Sequence, residues 1–355
     1  MNFNLLVDEF VRLLKDDDFV LTYAFNAVGK TRISKELTSR YNTDEDQIEK
    51  SICYNAFLED YFTWDNENCI FQINESWLTK IIIDEGLYSN IIDTFKETVD
   101  KKIEPKFDLA NGTIEFIMPH GDSVTDNIKI SKGEETIFKW VIFYVVLENA
   151  IDQLIEKLED RSTHVFDNLE HIIIDDPVSS IDDYRIYTIS VRIIKLLRKI
   201  REKNLNISVL ISTHHALFFN ILYSFFQGKR KNHIYFLMVD ENDYVLERTS
   251  SNMAFSFHGA ILKEIKKALD KNTIEKKHFN LMRSVVEKTA SFLGYYEWGK
   301  LFDGFNKSEE LVDMLNNNSH SKNSEMEMRK IAAEQATLFK DGFDFFIKKY
   351  SFNIR

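Results

Sequence analysis

The sequence predicts an α/β fold followed by a mostly helical C-terminal part, and three observations predict it. His171–Asp176 (HIIIDD) runs three isoleucines into two carboxylates, the pattern of a strand buried on both faces whose carboxyl end opens on a polar turn. Phe19–Phe25 is a second apolar run, and it passes through Asn26-Ala27-Val28-Gly29-Lys30-Thr31 into a helix, so strand, tight turn and helix follow without a break. Beyond about residue 230 the strand-like runs end after one hairpin and helical spacing takes over. Two domains are therefore expected, residues 1–230 and 231–355.

The elements follow in order. Phe3, Leu6, Phe10 and Leu13–Leu14 share one face of a first helix. The strand Phe19–Phe25 leads to a helix from about Thr31, and Ile52–Tyr54 reads as a short strand. Residues 88–104 suggest a helix, Thr113–Met118 a strand, and Thr136–Leu158 a long apolar helix. After His171–Asp176 come a helix at Asp183–Lys203 and a buried strand at Ile207–Ile211. Tyr235–Val239 and Val245–Arg248 form the hairpin, helices follow at Ala254–Asp270 and Lys276–Leu293, and Asn316–Ser321 reads as a polar loop.

Composition excludes several classes. The apolar fraction is 44%, enough for a core. With 45 Lys and Arg against 57 Asp and Glu the chain carries −12, so any basic footprint for nucleic acid must be local. Two cysteines, Cys53 and Cys69, make neither a disulfide framework nor a metal spacing, which suits a reducing cytoplasm. The N-terminus has no secretory pattern, and no apolar run is long enough to span a membrane.

The turn after the first strand has the chemistry of a phosphate cradle. Backbone N–H groups from Asn26 to Gly29 surround the phosphates, Lys30 meets the terminal oxygens and the Thr31 hydroxyl ligates Mg²⁺. Strand, turn and helix resemble a P-loop ATPase, in which Asp175 would be the second Mg²⁺ ligand and Asp176 would polarise the attacking water. Ala27 stands where glycine is usual; a positive φ there costs about 1 kcal/mol or more. Ser131-Lys132-Gly133-Glu134 opens the long helix. It reads equally as a second phosphate-binding helix end or as a plain capping box between Ser131 and Glu134. His214 follows the strand after the two carboxylates, where an imidazole can reach a terminal phosphate or simply cap a helix. Taken together, the motifs resemble the ABC ATPase superfamily. Asp175–Asp182 is similar to its DEPTSALD run with Asp176 in place of Glu, Ile130–Glu134 to the LSxGE signature of SMC-like members, Asp182 to the D-loop aspartate and His214 to the H-switch. That resemblance implies an ABC-type P-loop ATPase head that binds ATP or GTP with Mg²⁺. It also implies at least a head-to-tail homodimer, in which Ser131 and Gly133 of one chain face Lys30 and Asp175 of the other.

The C-terminal part carries a different signal. Arg283 and Glu287 stand four apart on one helix face, which by itself is a surface ion pair. Yet Tyr23–Ser34, Cys53–Asn66, Ile128–Glu135, Ile174–Asp183, His278–Tyr295 and Asn318–Ser321 resemble the PrrC-type tRNA anticodon nucleases over nearly the whole chain. The resemblance implies an ABC-like module that regulates a C-terminal ribonuclease. It implies an Arg283, Glu287 and His320 triad, cleavage of the anticodon loop of lysine tRNA, and silencing by a type I restriction–modification complex until phage attack. Such a triad needs no metal, because RNA supplies its own 2′-OH nucleophile. Glu287 and His320 are both candidates for the base, and the Lys263–Lys277 region would supply local positive charge. Two other readings stand beside it: an SMC-like defence ATPase acting through a separate effector, and a nucleotide-dependent sensor with no enzymatic activity.

Overall fold

The strand β1 (Phe19–Ala24) is the axis of the first unit, and all six of its residues are buried. It pairs in parallel with β9 (Ser208–Thr213) on one side and with β10 (Asn232–Asp240) on the other. β8 (His171–Asp175) lies beyond β9 and β2 (Ser51–Tyr54) beyond β8, both parallel, while β11 (Asp243–Arg248) closes the far edge antiparallel to β10. The order is thus β11-β10-β1-β9-β8-β2. The computed structural model describes residues 1–15, 18–43, 48–55, 61–99, 102–120, 123–179, 181–228, 231–240, 243–248, 256–319 and 331–352.

Both faces of this sheet are covered, which is why its strands read as unbroken apolar runs. α1 (Phe3–Leu13) and α2 (Lys30–Tyr41) cover one face; Leu6, Val7, Phe10, Ile33 and Leu37 pack on Val20, Ala24, Ile173 and Leu210. α7 (Ala216–Phe226) covers the other, with Phe219 edge-on to Tyr23 at 5.4 Å and Phe226 beside Phe19 at 6.4 Å. A second, antiparallel sheet has the order β3 (Phe62–Asp65), β4 (Ile70–Ile73), β6 (Thr113–His120), β5 (Glu104–Asp108), with β7 (Ser123–Thr125) on β6. Its aromatic core joins Phe71 and Phe116 to Phe95 of α4 (Tyr88–Thr98) and Phe138 of α5 (Lys132–Ile155). α3 (Trp77–Asp84) and α6 (Asp183–Glu202) complete this unit.

The second unit is helical: α8 (Ser256–Asp270), α9 (Lys276–Leu293), a short 3-10 turn at Trp298–Phe302, α10 (Ser308–Ser319) and α11 (Ala333–Lys349). Phe279 of α9 packs on Phe339 of α11 at 4.6 Å. Gly342 of α11 lets α10 close in: a Cβ there would lie 2.3 Å from Leu311 Cδ2.

Three sequence expectations change. The chain divides at Ala254, not at residue 230, because β10 and β11 complete the six-stranded sheet of the first unit. The helix expected over 88–104 ends at Thr98, and Glu104 already opens β5, where Pro105 cannot supply a helical N–H. The polar stretch expected as a loop from Asn316 is helical through Ser319, as the end of α10. His320 lies outside the described residues.

Candidate functional site

At the carboxyl end of β1 the chain turns through Asn26–Gly29 into α2. Ala27 (φ 65°) and Gly29 (φ 96°) both adopt the left-handed region. The strain foreseen for Ala27 is therefore present, about 1 kcal/mol or more. Gly29 caps α2 without a side chain, so the N–H groups of its first turn remain open to an anion. The Lys30 ammonium folds back over the loop. It donates to the carbonyls of Ala24 and Phe25 at 3.3 Å each and to Asn26 Oδ1 at 3.4 Å.

The two carboxylates arrive from β8, separated from β1 by β9, and they have different surroundings. Asp175 is 3% exposed and accepts from the hydroxyls of Thr31 and Ser212, each at 2.7 Å. Burial lifts its pKa above the ordinary carboxylate value, against the pull of those two hydroxyls. Asp176 steps out of the strand with φ 52°. It accepts from Thr213 Oγ1 at 3.0 Å, is hydrogen-bonded to His214 Nδ1, and lies 3.5 Å from Lys30 Nζ. Burial works to raise its pKa too, yet the His214 hydrogen bond, the nearby Lys30 ammonium and the Thr213 hydroxyl outweigh burial and hold it below the usual value. Tyr23 fixes the next turn by donating to the His214 carbonyl at 2.7 Å.

These groups line a cavity of about 310 Å³ formed by Asn26, Ala27, Gly29, Lys30, Thr31, Arg32, Tyr54, Thr136, Asp175, Asp176 and Ser179. The donor set fits a magnesium–nucleotide complex: a hydroxyl and a carboxylate held together for a hard cation, beside open N–H groups and an ammonium for phosphate. Thr31 and Asp175 would hold the ion; Asp176 also lines the cavity, and His214 is hydrogen-bonded to it. Sequence reasoning missed Ser212, Tyr54 and Thr136. Ser212 and Tyr54 lie at the carboxyl ends of strands that neighbour β8, Ser212 one residue before the last, so once the strand order is known their place at the site follows from the register of Asp175 with Ser212 and Ile174 with Tyr54.

Ser131, Gly133 and Glu134 do not line this cavity. Ser131 caps α5 in a reciprocal capping box with Glu134, its backbone N–H donating to Glu134 Oε2 at 2.7 Å. Asp182 caps α6 and pairs with Arg185 at 3.1 Å; Arg185 also reaches Glu134 at 3.9 Å. One arginine thus ties the start of α5 to the start of α6.

In the helical unit, Arg283 Nε donates to Glu287 Oε1 at 2.6 Å, and the guanidinium stands 5.8 Å from the Trp298 ring. The arginine side chain is 18% exposed and the glutamate 43%, so the pair opens to solvent from the edge of the buried face of α9. Among the described residues no three His, Cys, Asp or Glu side chains cluster as a metal-ligand set, and no helix is long and apolar enough to cross a membrane.

Residues 96–344 match the AAA_13 family, an AAA domain. An anticodon nuclease of Escherichia coli is 35% identical over 347 residues, covering 90% of this chain and 86% of that one. The chain belongs to the PrrC-type anticodon nuclease family. Its nucleotide-binding unit has the strand order of a P-loop ATPase of the ABC type, with one strand between the phosphate loop and the two carboxylates. Among solved structures, the Smc head domain of Pyrococcus furiosus with an extended coiled coil is 15% identical with a TM-score of 0.30, over 51% of this chain and 38% of that one. This chain therefore spans well under half the length of that protein. An SMC head bound to the C-winged helix domain of ScpA is 11% identical with a TM-score of 0.36, over 68% and 93%. Both likenesses are weak, and the fold assignment rests on strand order and loop geometry.

Proposed function

We propose that this anticodon nuclease cuts the anticodon loop of lysine tRNA, in the cytoplasm, under control of a nucleoside triphosphate bound with Mg²⁺ at Lys30, Thr31 and Asp175. The observation that carries the nuclease half is the Arg283–Glu287 pair, half-open to solvent on a helix that belongs to a unit separate from the nucleotide cavity. An ion pair of this kind contributes only about 0.3–0.5 kcal/mol to a helix. Its value here is chemical, because a guanidinium beside a carboxylate offers charge to a phosphorane and a proton acceptor within one phosphate's reach.

The 2′-OH attacks the adjacent phosphorus. One of Glu287 and His320 takes its proton, the other gives a proton to the departing 5′-oxygen, and Arg283 offsets the charge on the equatorial oxygens. The P–O5′ bond breaks, leaving a 2′,3′-cyclic phosphate and a 5′-OH, and no metal takes part in this step. In the other unit, Ser131 and Gly133 of a second copy complete the nucleotide site, so the working state is at least a head-to-tail dimer. A restriction–modification complex is the proposed silencer, and release during phage attack is the proposed setting.

The test is to incubate the pure protein with total tRNA, with and without ATP or GTP, and to sequence the new ends. A single cut in the anticodon loop of lysine tRNA with a 2′,3′-cyclic phosphate supports the proposal. A cut with a 3′-OH end, or cuts scattered over many tRNAs, refutes the mechanism or the specificity respectively.

A further inference from the structure

Aromatic side chains are rarely left in water, yet α9 ends in a run of them. From Ser291 to Glu297 every residue is exposed. Within that run Phe292 is 89% exposed, Tyr296 100%, and Leu293 and Tyr295 a little under half. Gly294 (φ 77°) ends the helix in the left-handed region and turns the chain, so Tyr295 and Tyr296 leave the helix axis instead of packing back along it. Leaving these two rings almost wholly in water forfeits roughly 1.5–3 kcal/mol of burial for each ring of this size. A surface of this kind marks a binding site.

The charge around the run shows what kind of occupant fits. The chain as a whole is acidic, but Phe255–Arg355 carries 17 Lys and Arg against 14 Asp and Glu, whereas Met1–Ala254 carries 28 against 43. On α9 itself Lys276, Lys277 and Lys288 are exposed, and Arg283 stands at the edge of the same outward arc. Phe292 lies nine residues beyond Arg283, about 13 Å along the axis and on the opposite side of the helix. A strand whose phosphate meets Arg283 would pass Lys288 and bring a nearby base over Phe292 and the tyrosines. Cations that track a backbone, interleaved with rings that take a base face, form the standard combination for single-stranded nucleic acid.

We infer that Phe292 and Tyr296, with Tyr295 beside them, are a stacking platform for unpaired bases of an RNA loop whose backbone is held at Arg283 and Lys288. The inference rests on the nuclease reading of α9 and deepens it. Here the rings set how tightly the loop binds and which nucleotide lies at Arg283. They act by positioning and take no part in proton transfer.

The experiment uses the full chain and a tRNA anticodon stem-loop carrying 2-aminopurine in its loop. Binding is followed by anisotropy, stacking by fluorescence quenching, and cleavage by single-turnover kinetics. Phe292→Ala and Tyr296→Ala should each weaken RNA binding about 5- to 150-fold and relieve the quenching, and at saturating RNA the cut should spread to neighbouring phosphodiesters. Tyr296→Phe, which keeps the ring, should behave as wild type. Substitutions at sites this exposed should leave the fold intact, checked by melting. Unchanged RNA binding and quenching in the Ala variants overturns the inference, as does a fall in oligomeric mass without a change in RNA affinity, which would make the rings a contact between chains. If the wild type binds and quenches the RNA but cuts no tRNA, the nuclease reading falls and the platform stands. If the wild type binds no RNA, both fall.

Discussion

Changing Asp176 to Asn separates what that carboxylate does without nucleotide from what it does in hydrolysis. Its Oδ2 is 3.5 Å from the Lys30 ammonium, and both side chains are largely buried. At an effective dielectric constant of about 20 the gross attraction across that distance is about 5 kcal/mol. Desolvation offsets much of it, leaving a net of about 1.5–3 kcal/mol, the range of a charged hydrogen bond. An incoming phosphate must take Lys30 from Asp176 and also lie near the carboxylate's own negative charge. Asp176→Asn removes both penalties. Nucleotide affinity should rise at least tenfold, since about 1.4 kcal/mol is a factor of ten. Hydrolysis should fall roughly 10²–10⁴-fold, the usual contribution of a general base. Without nucleotide the variant should melt lower than wild type, because Lys30 keeps only the neutral acceptors of Ala24, Phe25 and Asn26. Binding of a fluorescent nucleotide, phosphate release and melting curves measure the three quantities. A tenfold loss of affinity in the variant would instead make Asp176 a support that holds Lys30 in its working position.

Three further outcomes follow from the same geometry. Ala27→Gly removes the left-handed strain at φ 65° and should stabilise the protein by about 0.5–1 kcal/mol after the glycine's extra unfolded-state entropy is counted, seen as a raised Tm. Gly342→Ala gains about 1 kcal/mol of helix propensity but drives a methyl against Leu311. Overpacking of about 1–3 kcal/mol wins, and denaturant melts should show a net loss. His171 stacks on Tyr41 at 3.8 Å and bonds Ser208 through Nδ1 at 2.6 Å; burial pushes its pKa down to about 4. Between pH 6.5 and 4 the unfolded chain binds a proton that the folded chain refuses, so this residue's contribution is full above pH 6.5 and shrinks by about 2–3 kcal/mol as pH falls to 4. His171→Gln should flatten that part of the stability–pH curve, and an unchanged slope would assign the dependence to other groups.

The parts of the site that could be read in the sequence are those built within a few residues. Strand, Gly29, Lys30 and Thr31 form a contiguous unit whose backbone demands are written in its residue types, and the left-handed φ of Ala27 was foreseeable for that reason. The partnership of Thr31 with Asp175 followed from knowing which motifs share a magnesium ion, although 144 positions separate them. Ser212 was less visible, because a serine ending a buried strand looks like any strand end until β9 is known to lie between β1 and β8. The domain boundary went astray at β10 for a related cause. Asn232–Asp240 follows a helix and a polar turn, as a new domain would, and only its parallel pairing with Phe19–Ala24 returns it to the first unit. Ser131 and Glu134 had two readings in the sequence, and the capping box is present, yet a capped helix end facing solvent remains compatible with a partner's nucleotide. On α9 the pair Arg283 and Glu287 was legible from spacing, whereas the exposure of Phe292 and Tyr296 was not, because an aromatic run at a helix end reads as core.

The nuclease proposed for this chain sits on α9. Wild type and Arg283→Ala, purified in parallel and shown by melting to be equally folded, should be compared for cleavage of total tRNA with nucleotide present. We expect one discrete cut by the wild type and a loss of at least 10²-fold in the variant, with nucleotide binding unchanged in both. Intact tRNA in both reactions would contradict it and leave an ATPase that acts through another effector, and equal cutting by both would place the chemistry away from Arg283.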